Sequence, residues 1–150
     1  MARARHVAWL AVLAVYGAGC GEDDSEQFRA DYNRAVGRLS EFDRGGLRRV
    51  QGEGENDGSN AQVAAEFRRI AKSVGRTRSD LARLTPPERA RDELDELLAA
   101  LDQGSEALRA VAEAAARSDP VAADEAAENL AATSEEITEA EEDLKDAVTE

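Results

Sequence analysis

Apolar residues recur at alternating steps of four and three along four stretches of the chain. The first stretch carries Phe28, Tyr32, Ala35, Leu39 and Phe42, then weakens at Gly45-Gly46, with Leu47 and Val50 continuing the rhythm. A second runs through Val63, Phe67, Ile70, Val74, Thr77, Leu81 and Leu84 without a slip. A third takes Ala90, Leu94, Leu97, Leu101, Gly104, Leu108, Val111 and Ala115. The fourth takes Ala123, Ala126, Leu130, Thr133, Ile137, Ala140, Leu144 and Ala147. Residues three and four apart share one face of an α-helix, so each stretch predicts an amphipathic helix.

The punctuation between these stretches agrees. Residues 52–60 are all glycine, acid, amide and serine, which reads as a loop, with Asn60 as N-cap of the second helix. In Thr85-Pro86-Pro87-Glu88, Thr85 is placed to cap, Pro86 suits a first helical turn and Glu88 completes a capping-box spacing. Ser118-Asp119-Pro120 repeats the signal, with Asp119 as N-cap. Four amphipathic helices joined by short connections predict an all-α domain over 26–150, an antiparallel up-down-up-down four-helix bundle. The alternative is a three-helix core with the first segment attached loosely through Gly45-Gly46. The last two seams are mostly Ala, Gly, Thr and Leu, which permits close approach but buries less apolar area.

The amino terminus has a different pattern. Arg3 and Arg5 precede an apolar run from Val7 to Tyr16, and the small residues Gly17-Ala18-Gly19 follow. That layout predicts a cleaved signal peptide over 1–19. The run is about a dozen residues, short of the ~20 that span a bilayer as a helix. Cys20 is the only cysteine. Gly17-Ala18-Gly19-Cys20 resembles the lipobox of bacterial lipoproteins, although Gly17 stands where that motif carries Leu or another aliphatic. Ordinary signal-peptidase cleavage is the other reading. The resemblance implies acylation of Cys20 and attachment to a membrane through its acyl chains. Each buried methylene contributes about 0.8 kcal/mol, so two or three chains hold a domain durably. An exported chain with one cysteine would otherwise carry a lone reactive thiol. Residues 20–25, with Glu22, Asp23 and Asp24, then form a short acidic tether that anionic headgroups repel.

Charge divides the remainder. From Glu26 to Arg91 there are 14 Lys or Arg against 10 Asp or Glu, and from Asp92 to Glu150 there are 3 against 19, within a total net charge of −13. Nucleic-acid binding requires clustered positive charge and is not expected. Basic helices beside acidic ones are the simpler use of the asymmetry.

Candidate chemistry is sparse. Aligning Gly58 with the invariant glycine of a calcium loop puts Glu53, Glu55, Asp57 and Ser59 at ligand positions, but Ala64 then falls where a bidentate carboxylate is required. Glu135, Glu139 and Glu142 form a stripe able to attract divalent cations weakly, or a solvated helix face. Arg68, Lys72 and Arg76 step by four into a basic stripe, expected to pair with acids of the neighbouring helix or to meet an anionic partner. Tyr32 is expected to bury its ring with its hydroxyl at the rim. The single histidine, His6, leaves with the signal peptide and acylation would occupy the one thiol, Cys20, so no histidine-based triad, thiol nucleophile or imidazole metal site is expected beyond them. No cofactor or metal is expected. The expected function is a cell-envelope lipoprotein that presents an acidic helical surface to an envelope protein. A small-ligand or cation sensor is the alternative, and an enzyme is not expected.

Overall fold

A computed structural model describes residues 25–37 and 59–149. The signal-like segment, Cys20, Leu39, Phe42, Gly45-Gly46 and residues 53–58 of the acidic loop therefore lie outside the described residues. Within them the chain is helical and contains no strand. Helix α1 covers residues 25–37. It is followed by α2 (Asn60–Leu81), a single 3-10 turn (Glu88–Ala90), α3 (Arg91–Arg117) and α4 (Pro120–Thr149). Ser25, at the expected join of tether and domain, already stands in α1 and is buried. The all-α expectation is met, and the helices pack extensively in a bundle-like arrangement.

The helix starts show how local chemistry sets the boundaries. The N-cap of α2 is Ser59, one residue before the expected Asn60. Its hydroxyl accepts from the Gln62 N–H, and the Gln62 side chain accepts in return from the Ser59 N–H at 3.0 Å. Asn60 is instead the first helical residue, and its side-chain amide donates to Ser118 Oγ at 2.8 Å. The second difference concerns Thr85, which makes no cap. Residues 85–87 are not helical, Pro87 is extended at φ −55°, ψ 153°, and helix begins as a 3-10 turn after it without any side-chain cap. At α4 the expected device is present: Asp119 Oδ1 accepts from the Ala122 N–H at 3.1 Å, and Pro120 occupies the first turn. The preceding helix ends on Ser118 in the left-handed region, φ 54°, a conformation a side chain normally resists.

The expected seam of α2 is the buried one: Phe67, Ile70, Val74, Thr77 and Leu81 all face the core. Helix α3 buries far more than one seam. Besides Leu94, Leu97, Leu101, Gly104, Leu108 and Val111, two further rows repeating every seven residues are covered: Leu98, Ser105 and Ala112, and Ala100, Ala107 and Ala114. Such wide burial follows from its position between two neighbours. Ser105 Oγ donates to the Ala71 carbonyl of α2 at 3.3 Å, while Gly104 lies against Ile137 and Thr133 of α4. Helix α4 buries a single stripe through Ala126, Thr133, Ala140, Leu144 and Val148, with Leu130 and Ile137 half-buried beside it.

Helix α1 is part of the same core. Phe28, Tyr32 and Ala35 belong to the buried cluster that holds Leu97 and Leu144, and the Phe28 and Tyr32 rings stack at 6.2 Å. Two guanidinium groups tie the pieces together at the end of α4. Arg29 donates to the Val148 carbonyl at 2.6 Å, and Arg89 donates to the carbonyls of Ala147 at 2.7 Å and Val148 at 3.3 Å. The last carbonyls of a helix have no partner within it and carry partial negative charge, so cations from two other elements are favourable there.

Candidate interaction site

The α3–α4 boundary carries two adjoining hollows of about 290 Å³ each. From α3 they take Asp92, Glu93 and Glu96, and from α4 they take Glu136, Glu139, Asp143 and Asp146. The floor is Ala100 and Ala140, whose small side chains let the helices approach and leave the carboxylates standing on either wall. None of the seven carboxylates takes part in an ion pair among the described residues, where the salt bridges are Arg34–Asp31, Arg69–Glu66, Arg78–Asp102, Arg83–Asp80, Arg117–Glu113 and Lys145–Glu141. Only one of those, Arg78–Asp102, crosses between helices. The charge asymmetry is therefore not discharged by pairing basic helices to acidic ones. It is displayed. Glu93 adds a sharper feature, since its Oε2 is buried without a hydrogen-bond partner.

Of the stripe Glu135, Glu139 and Glu142, all three are exposed, and only Glu139 lines this groove. No group of three or more Asp, Glu, His or Cys among the described residues is arranged to hold a metal ion. Ser59, one position of the calcium-loop alignment, is occupied with capping α2. Among the described residues no helix is long and apolar enough to cross a membrane.

The basic stripe behaves differently from its expected pairing. Arg68, Lys72 and Arg76 are exposed and make no ion pair among the described residues. Lys72 and Arg76 instead line a separate groove between α2 and α3, and the residue that α3 brings to it is another cation, Arg109. Tyr32 also departs from expectation. Its ring is buried, and so is its hydroxyl, which has no hydrogen-bond partner. Burial first, and the negative Glu141 second, push the phenol well above its usual range.

No family model, curated protein or solved structure matches this chain. The groove carboxylates and Arg109 therefore rest on geometry alone. Sequence reasoning singled out Glu139 of the groove acids on α4 but missed Asp92, Glu93 and Glu96 as counterparts on α3, because that pairing depends on the register between helices. Arg109 was hidden for the same reason.

Proposed function

We propose that this chain is a cell-envelope lipoprotein, acylated at Cys20, whose domain is a non-enzymatic interaction module. Its working surface is the acidic groove between α3 and α4. The observation that carries the reading is the convergence of seven carboxylates without a cationic partner among the described residues. Like charges along neighbouring walls repel one another, so the isolated domain holds them at a cost that a cationic partner relieves. A partner with a basic helical or extended segment fits this groove.

The domain is an antiparallel up-down-up-down four-helix bundle in this reading. Support comes from the cross-helix contacts. Asn60, Ala71 and Arg78 meet Ser118, Ser105 and Asp102 in that order, so numbers rise on α2 as they fall on α3. In the turn that leads into α3, Arg89 reaches Ala147 of α4, while further along α3 Gly104 meets Ile137 and Thr133. Arg29 on α1 meets Val148 at the end of α4. That end of the bundle also holds Ser25, so a tether from Cys20 would leave there.

The test is a photo-crosslinking residue placed at Gln103, on the groove wall, in intact cells. A defined protein partner should be captured, and neutralising Glu96, Glu139 and Asp143 together should abolish the capture. Capture that survives the neutralised groove would refute the acidic surface as the contact.

A further inference from the structure

The α2–α3 groove is the second charged feature of the domain, and it lies apart from the acidic one. It is an open groove of about 390 Å³. Lys72 and Arg76 stand one helical turn apart on α2, and Arg109 faces them from α3. All three are exposed and without an ion pair among the described residues, in a chain where 32 Asp and Glu outnumber 19 Lys and Arg. With acids in such excess, three cations gathered beside a single acid, Asp80, and paired to none is an arrangement that folding alone does not require. Arg83 extends the groove but is engaged with Asp80 at 3.6 Å. Asp80 also lines that end, and its carboxylate would repel an anion there. The vacant positive field is thus centred on Lys72, Arg76 and Arg109.

Gly75 supplies an independent observation. It lies inside α2, where glycine weakens a helix relative to alanine, yet a Cβ built on it meets nothing within 4 Å. Close helix packing therefore does not call for a glycine here, in contrast to Gly104. What the missing side chain does is leave the floor of the groove open beside the cations. Ser79 completes that floor, its hydroxyl donating to the Gly75 carbonyl at 2.8 Å.

We infer that the α2–α3 groove binds a phosphate-bearing ligand, with Lys72, Arg76 and Arg109 as its cationic partners and Gly75 giving it access. A guanidinium offers paired N–H donors matched to phosphate oxygens, and two arginines plus a lysine can neutralise a dianion. The phosphate can belong to a soluble molecule or to a lipid headgroup. This inference does not depend on the acidic groove having a partner.

The full chain, isotopically labelled and held in a non-ionic detergent, is titrated with pyrophosphate at constant ionic strength while backbone amides are followed by NMR. Saturable shifts are expected at Lys72, Gly75, Arg76 and Arg109. Binding should weaken at least tenfold in Arg76→Gln with Arg109→Gln, and also in Gly75→Leu, which fills the groove but keeps every cation. Helical circular dichroism should be unchanged in both variants. Unsaturable shifts spread equally to Arg34 and Arg69, or binding indifferent to Gly75→Leu, would overturn the site. A second arm compares flotation on phosphatidylcholine vesicles with and without phosphatidylglycerol. Extra flotation on the anionic vesicles that Arg76→Gln removes assigns the headgroup. Equal flotation alongside saturable pyrophosphate binding assigns a soluble phosphate, and silence in both arms overturns the inference.

Discussion

Gly75 and Gly104 offer a controlled comparison, because both are helix-interior glycines with different surroundings. Replacing either with alanine recovers about 1 kcal/mol of helix propensity. At Gly75 nothing lies within 4 Å of the new methyl, so Gly75→Ala should keep the whole gain. For a domain of this size that raises Tm by about 4 °C. At Gly104 the new Cβ would stand 2.8 Å from Ile137 Cδ1 and 3.7 Å from Thr133 Cγ2. Ile137 must move, and because the clash involves the free end of a half-buried side chain, the move is a rotamer distortion of about 0.5–1.5 kcal/mol. The two effects nearly cancel, so Gly104→Ala should be close to neutral. Urea unfolding of both variants, repeated in an Ile137→Ala background, completes the cycle. With Ile137 truncated, Gly104→Ala should regain about 1 kcal/mol. If Gly104→Ala stabilises the unaltered protein as much as Gly75→Ala does, the close approach of α3 and α4 at this point is refuted.

Other outcomes follow from the same contacts. Leu97→Ala and Leu144→Ala, both almost fully buried, should each cost about 2–5 kcal/mol, and Leu130→Ala, half-buried, clearly less, as read by chemical unfolding. Tyr32→Phe removes a buried hydroxyl that has no partner, so it should raise stability by about 1 kcal/mol; a loss of that size would mean the hydroxyl is bonded. The raised phenol pKa means the unfolded chain gives up this proton first, so stability should fall as pH rises beyond about 10, and Tyr32→Phe should flatten that fall. Arg89→Gln should cost about 1 kcal/mol by leaving the Ala147 carbonyl to a weaker partner, with the cost shrinking in high salt. Ser118→Gly relieves the left-handed backbone but loses the Asn60 contact, so a melt should show a gain below about 1 kcal/mol.

Much of the fold was legible because its signals are local. The steps of four and three placed Phe67, Ile70, Val74 and Leu81 on the buried face of α2, and Asp119-Pro120 marked the start of α4. The N-cap of α2 slipped from Asn60 to Ser59 because both residue types cap well and the reciprocal partner, Gln62, decides between them. The wide burial of α3 was not legible. Apart from Leu98, its extra rows consist of Ala and Ser, which carry little contrast with a polar face. Both grooves were invisible for a deeper reason: a charged wall requires two helices at a fixed register, and periodicity within one helix says nothing about the other. The shared core of Phe28 and Tyr32 with Leu97 likewise argues against a loosely attached first segment, as far as residues 25–37 reach.

Carboxyl footprinting tests the acidic groove most directly. The protein is labelled with a carboxyl-modifying reagent in intact cells and again after purification, and each acid is quantified by mass spectrometry. Glu96, Glu139 and Asp143 should be protected in cells and reactive in the purified protein, while Asp124, Glu125 and Glu128, exposed elsewhere on α4, should react alike in both. Equal labelling of the groove acids in cells and in isolation would contradict a partner seated between α3 and α4.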